Sequence, residues 1–182
     1  MAGVESKIMQ NPPPKKSLKS SLAAQVGLRL LGAVASLSAA LVMITNKQTV
    51  FLYGAQIDAK YNYASAFTFF AIANLVAFVF SVVSMFAAGI LARNCSGPNK
   101  YFFMFLHDLV MTTLLMAACA AATAIGLVGK YGNSHVGWMA ICSDFAMFCD
   151  RIITSVTLSY LAFLVHLLLT VISAAKSRRI HV

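Results

Sequence analysis

Asp108 lies one turn inside "FLHDLVMTTLLMAACAAATAIGL", a run otherwise apolar enough to cross a bilayer. An ionised carboxylate at mid-membrane costs about 2.5–3.5 kcal/mol on insertion scales, and less near a helix end, so it turns inward and finds a partner. Arg29, in "GLRLL", stands about one turn inside another apolar run. If both runs cross in the same direction, the two charges sit at matching depth. A third ionisable group, His166, falls within the last apolar run.

Helical phase adds to the pairing. At about 100° per residue, Asp108 shares a face with Thr112, Cys119, Ala122, Thr123 and Gly126, and Arg29 shares one with Gly32, Ala33, Ser36 and Ala40. His166 groups with Ser155, Ser159, Ala162, Thr170 and Ser173, and Asn74 with Ala77, Ser81 and Ala88. Small faces let membrane helices approach closely, because van der Waals fit drives association in lipid. Two chemistries suit this arrangement. The favoured one is a buried structural ion pair, Arg29 with Asp108, that fixes helix register, with Asn74, Thr112 and His166 as hydrogen-bonded intramembrane polar residues. The alternative is an ion or proton path through Arg29, Asp108 and His166. Transporters commonly carry broken helices and inverted repeats; no proline interrupts any apolar run here and no repeat is evident.

Cys142 and Cys149, in "WMAICSDFAMFCDR", are the natural candidates for a disulfide; two free thiols are the alternative. On one continuous helix, positions seven apart are separated by ~10.5 Å along the axis, whereas a disulfide needs Cα atoms about 4.4–6.8 Å apart. The chain must turn between them. Such a closure is worth roughly 2–3 kcal/mol by the chain-entropy model. Cys119 reads as a small packing residue, and Cys95 as a plain reduced juxtamembrane thiol, with palmitoylation as the alternative. Catalytic and metal signatures are missing: the chain has no H-E-x-x-H, C-x-x-C, G-x-S-x-G or P-loop. His107 and Asp108 are adjacent, which is not ligand spacing, and His135 stands alone. No catalytic residue, metal or cofactor is expected.

The elements that must position these groups follow from composition. Of 182 residues, 60% are hydrophobic and 10% charged, against about 45–50% and about 25% in soluble domains. A hydrocarbon core ~30 Å thick needs roughly 20 apolar residues as helix, and residues 25–44, 66–91, 105–128 and 153–173 qualify. These runs are too long and too rich in Leu, Ala and Met for barrel strands. The fold class is therefore all-α, a four-helix transmembrane bundle with short outer loops. Residues 1–24, with three consecutive prolines, read as a disordered cytoplasmic arm, 25–174 as the transmembrane domain, and 175–182 as a short basic tail.

Nine Lys and Arg residues fall on the arm, the 2–3 loop and the tail, against Lys47, Lys60, Lys130 and Arg151 on the other side. The positive-inside bias then puts both termini in the cytoplasm. The net charge of +9 is mostly this asymmetry, so nucleic acid is not an expected partner; membrane lipids are, with the basic clusters read first as topogenic flanking charge and contact with anionic inner-leaflet lipid as the alternative. The first apolar run follows some two dozen mostly polar residues and reads as a retained anchor, not a cleaved signal. Asn94, Cys95 and Ser96 form an N-x-S acceptor on the cytoplasmic side, so a glycan on Asn94 would invert the topology. In the first outer loop, β-forming residues 49–53 before Gly54 suit a short hairpin over the bundle. The second outer loop, 129–151, holds the single tryptophan, Trp138.

Taken as a set, "GLRLL" (27–31), "FTFFAIAN" (67–74), "HDLVM" (107–111), "GNSHVGW" (132–138), Cys142 and "FC" (148–149) resemble the plant CASP-like family, related to Casparian strip membrane domain proteins. The resemblance covers all four helices and both outer loops. It implies a multi-pass, MARVEL-like protein of the plasma membrane that forms homo- or hetero-oligomers with related four-helix proteins and scaffolds a membrane domain. In the strip-forming members such a scaffold recruits cell-wall-modifying machinery. It also implies that Arg29 and Asp108 match the family's charged pair, and Cys142 and Cys149 its outer-loop cysteines. The distinctive first outer loop of the strip-forming subgroup is missing from "NKQTVFLYGAQIDAKYNYAS", so the resemblance does not extend to strip formation. The expected function is a non-enzymatic scaffold; the alternative is a small channel or transporter. Tetraspanin-like or claudin-like adhesion fits poorly, for want of the cysteine-rich large loop of the former and the Trp/Cys first loop of the latter.

Overall fold

The computed structural model describes residues 15–52, 54–93 and 98–180. Four helices dominate: α1 (Lys15–Ile44), α2 (Ser65–Arg93), α3 (Pro98–Tyr131) and α4 (Ala146–Ile180). Each holds a stretch long and apolar enough to cross a membrane, namely Ala23–Ile44, Ser65–Ala87, Phe102–Tyr131 and Ala146–Ala175. α1 packs on α2 and α4, and α3 packs on the same two, so α1 and α3 face each other across the diagonal of the bundle. This is the four-helix transmembrane architecture that composition and hydropathy call for. The first fourteen residues of the arm, the acceptor site at Asn94 with Cys95, and the last two residues lie outside the described residues.

The helices outrun the apolar stretches. α1 begins at Lys15, directly after the prolines and ten residues before the span at 25. α3 reaches Tyr131 and α4 starts at Ala146, which leaves the second outer connection 132–145 instead of 129–151. The reason is which way the charges point. Asp150 and Arg151 lie on the exposed side of α4 while Phe148, Cys149 and Ile152 are buried, so charges that close a hydropathy window do not end the helix. Thirty-five residues of α4 span about 52 Å at 1.5 Å each, well beyond ~30 Å of hydrocarbon.

Inside, the bundle is lined with small side chains. Ala39, Ala40, Ala77, Ala118, Ala122 and Ala162 are fully buried, while Leu30, Val34, Ile72, Val83, Leu164 and Val171 face outward. Phe70, Met43, Leu115 and Leu169 fill the remaining core. An inside-small, outside-large arrangement is what a medium as apolar as leucine permits, since burying bulk gains nothing over leaving it in lipid.

At the end opposite the termini, β1 (Lys47–Leu52) and β2 (Ala55–Lys60) pair antiparallel from Lys47↔Lys60 to Leu52↔Ala55, forming the hairpin expected around Gly54. Gly54 takes φ +80°, which side-chain-bearing residues adopt at a cost. The hairpin is tied down. Val50 packs against the core, and the Gln48 Oε1 accepts the Phe148 backbone N–H at 2.7 Å, satisfying one of the orphan donors in the first turn of α4. Asn46, buried at the end of α1, donates to the Phe148 carbonyl at 2.9 Å. On the exposed face, the Lys60 ammonium and then the Thr49 hydroxyl hold the Asp58 carboxyl below its ordinary range, and Asp58 in turn raises Lys60.

The second outer connection is a closed miniature. Asn133 and Trp138 exchange backbone hydrogen bonds at 2.8 and 3.0 Å around the turn Ser134–Val136. Gly132, at φ +68°, sits under this turn, where an added Cβ would lie 2.6 Å from the Trp138 carbonyl oxygen and 2.9 Å from the Ala140 nitrogen. A turn at 142–144 then brings Cys142 back to the first helical turn of α4, and Cys142 and Cys149 are joined by a disulfide with Cα atoms 5.7 Å apart. Gly132→Ala combines the left-handed penalty with a backbone clash and is expected to cost more than about 2 kcal/mol. Gly54→Ala, where strain acts alone in open space, costs about 1–2 kcal/mol. Thermal unfolding of the two variants in one detergent checks the order; equal losses would contradict it.

Candidate functional site

The bundle interior carries a column of polar groups arranged in layers. In the layer nearest the termini, Arg29 Nη1 and Nη2 donate to Asp108 Oδ1 and Oδ2, both at 2.8 Å, a bidentate fork across the α1–α3 diagonal. The other two helices complete it. Arg29 Nη1 also donates to Ser84 Oγ of α2 at 2.8 Å, and Ser173 Oγ of α4 donates to Asp108 Oδ2 at 2.9 Å. His107 Nδ1 lies 3.3 Å from Asp108 Oδ1. Arg29, Ser84, Asp108 and Ser173 are all buried. Removing a charge pair from water is costly, and it is tolerated where geometry is bidentate and the remaining lone pairs are filled.

Further polar layers lie between this one and the hairpin. His166 Nε2 meets Ser81 Oγ at 3.1 Å, tying α4 to α2. Gly32 makes room for that ring: a Cβ there would stand 3.2 Å from His166 Cε1 and 3.3 Å from Val165 Cγ1. Thr112 and Thr170 meet at 3.0 Å between α3 and α4. Each also contacts the carbonyl one turn back in its own helix, Asp108 and His166 respectively, so two hydroxyl protons serve three contacts. Further along, Asn74 donates to the Phe70 carbonyl, Ser159 donates to Asn74 Oδ1 at 2.9 Å, and Cys119 Sγ donates to Ser159 Oγ at 3.2 Å, which joins α2, α4 and α3. Ser155 Oγ then donates to the Ala39 carbonyl at 2.7 Å, from α4 to α1.

The structure thus brings Arg29 and Asp108 together and places Asn74, Thr112 and His166 in separate layers above them. It does not join His166 to Asp108. Ser84 links the first layer toward the second, but its proton goes to the Ser81 carbonyl at 2.8 Å, which has none to pass on. A guanidinium does not deprotonate in proteins, so the charged layer is a clamp more readily than a relay. Ser84 escaped the sequence reading although it lies three residues beyond Ser81 on the stripe begun by Asn74. Gln48 and Asn46 also escaped it, because loop side chains carry no periodicity. Cys119, read as a packing residue, donates a hydrogen bond as well.

Arg29→Ala and Asp108→Ala each strand a buried charge, and each is expected to cost about 3–5 kcal/mol and to be retained in the secretory pathway. The double variant Arg29→Met, Asp108→Leu, which strands neither, recovers most of that loss. Cell-surface delivery and thermal stability of the three variants check this; normal delivery of both single variants would contradict it.

Residues 19–165 match the family model described as the Casparian strip membrane protein domain. The chain is 54% identical over its full length to CASP-like protein 1F1 of Vitis vinifera, covering 88% of that protein. It is 46% identical to CASP-like protein 1F2 of Populus trichocarpa with both chains fully covered. Against CASP-like protein 1F1 of Arabidopsis lyrata subsp. lyrata the identity is 34%, over 87% of this chain and 91% of that one. No solved structure matches the chain. With charged and polar layers, four spans and an outer-loop disulfide all carried within a chain matched end to end, it belongs to the plant CASP-like family of four-helix membrane proteins.

Proposed function

We propose that the protein is a non-enzymatic scaffold of the plasma membrane, with both termini in the cytoplasm, which self-associates laterally and organises a membrane domain. The observation that carries this reading is the outward face of α2. Phe69, Ile72, Val79, Val83 and Phe86 are all exposed and, with the half-buried Val76 between them, repeat at spacings of three and four. Such spacing keeps them on one face, as a helix that seats against another helix requires. In lipid, close van der Waals packing along a continuous ridge is what favours association. The other side of the bundle's chemistry agrees, because its polar side chains bond one another between helices and so hold a rigid body for lateral packing.

Orientation and partners follow in the same reading. The excess of Lys and Arg at the termini end supports a cytoplasmic location for it, and the disulfide at the hairpin end supports an oxidising compartment there. The exposed Phe51, Trp138 and Met139 of the outer loops then offer contacts to cell-wall-modifying partners. A channel function is the less supported reading, because the charged layer is closed on itself by bidentate bonding and Ser84 directs its proton to a carbonyl.

The triple variant Phe69→Ala, Val79→Ala, Phe86→Ala replaces only exposed side chains and is expected to convert oligomers into smaller species without lowering thermal stability. Native mass of the full chain in nanodiscs reads the change. Unchanged oligomer mass would sink the α2 interface, and ion flux in liposomes abolished by Asp108→Asn without loss of assembly would favour the channel.

A further inference from the structure

A second feature of the spans has no part in the polar column. Between α3 and α4, at the hairpin end, lies an open groove of about 450 Å³, within the ~300–1,000 Å³ typical of ligand sites. Its floor is Ala122, Gly126, Ile152 and Val156, and its exposed apolar flanks include Leu127 and Ile153. Its deep end is closed where Thr123 Oγ1 and Tyr160 Oη meet at 3.3 Å. At the other end stand Lys130, Tyr131 and Asp150.

We infer that this groove holds one acyl chain of a zwitterionic phospholipid, with the lipid phosphate on Lys130 and the headgroup ammonium on Asp150. The groove has the length of an acyl chain. Along α3 the groove runs from Ala122 to Tyr131 and along α4 from Ala146 to Tyr160, which is about 14 to 21 Å at 1.5 Å per residue. One leaflet of hydrocarbon is ~15 Å deep, half of ~30 Å. The groove is therefore as deep as a single acyl chain reaches, and it begins where headgroups lie.

Its head carries both signs of charge. Lys130, in the last turn of α3, and Asp150, in the second turn of α4, border the same groove, and no ion pair joins them among the described residues. One free cation and one free anion at headgroup level complement a phosphate and an ammonium on one molecule. A purely anionic headgroup would meet Lys130 favourably and Asp150 unfavourably. Tyr131, strongly exposed, with the Lys130 ammonium 5.5 Å from its ring centre, has the amphipathic side chain that membrane–water boundaries favour. A second copy of the chain fits less well, since a helix is too wide for a groove only partly open between two packed helices. None of the α2 ridge residues lines this groove, so lipid and lateral partner use different surfaces.

The full-length protein is extracted from membranes containing equal phosphatidylcholine and phosphatidylglycerol, and retained lipid is counted by native mass spectrometry. A phosphatidylcholine carrying a photoreactive group in its acyl chain locates the site by peptide mapping. The expected result is retention of phosphatidylcholine over phosphatidylglycerol, with crosslinks concentrated in residues 122–131 and 146–160. Gly126→Leu, which fills the floor, abolishes both. Lys130→Glu lowers retention a few-fold, as fits an exposed charge contact, and Asp150→Asn narrows the preference between the two lipids. Lys130 and Asp150 are exposed, so these two variants decide the matter should Gly126→Leu fail to fold. Crosslinks spread evenly over all four helices, or equal retention of the two lipids by the unaltered protein, would overturn the assignment.

Discussion

A guanidinium joined face to face with a carboxylate, across the diagonal of four helices and inside hydrocarbon, is the constraint that orders this bundle. Neither charge is tolerable alone at that depth, and the two helices that carry them are not neighbours; α1 and α3 each pack on α2 and α4 and are joined across the diagonal by Arg29 and Asp108. Beyond the fork itself, the pair draws on all four helices, since Ser84 of α2 accepts from Arg29 and Ser173 of α4 donates to Asp108, while Arg29 Nε is left without a partner. One interaction therefore reports on the placement of all four helices. A buried pair contributes little net stability over apolar residues of the same shape. Its contribution is to penalise every arrangement in which one helix is rotated, shifted or absent.

The layers above the pair extend the same logic with weaker bonds. Ser81 with His166, Thr112 with Thr170, and Asn74 with Ser159 and Cys119 each join two or three helices at a fixed height. Interhelical hydrogen bonds of this kind are worth about 0.6 kcal/mol each in membranes, too little singly to hold helices together. Their use lies in register: a rotation by one residue turns a whole face of serines, threonines and alanines toward lipid. Small residues are needed on those faces for the bonds to form at all, as Gly32 beneath the His166 ring shows.

Much of this was legible because lipid makes few structures possible. Span number follows from run length, and the burial of Arg29, Asp108 and His166 from the cost of exposing them, so phase arithmetic on those residues finds the inner faces. Helix ends were less legible. Hydropathy stops at Asp150 and Arg151, but a helix stops only where its backbone bonds stop, and side chains near the boundary reach water from within it. The hairpin was readable from Thr49 to Gly54, whereas its docking through Gln48 onto the first turn of α4 was not, since that contact spans a hundred residues of chain. Gly132 is the sharpest example of hidden information. Nothing in its neighbours announces that the Trp138 carbonyl will lie where a Cβ would have been.

A protein that turns its polar chemistry inward must present its function on what remains outside. Here the remainder is unevenly made: α2 shows a ridge of phenylalanine, valine and isoleucine, the α3–α4 side shows a groove with a charge of each sign at its head, and the hairpin end shows aromatic loops. These surfaces lie on different sides of one body, so contact at one need not displace another. Rigidity is what makes this separation useful, because a body fixed in register by Arg29 and Asp108 holds its surfaces at constant angles. An array built through the α2 ridge would then repeat its loops and its grooves at regular spacing, whereas a loosely packed bundle with the same surface residues would not.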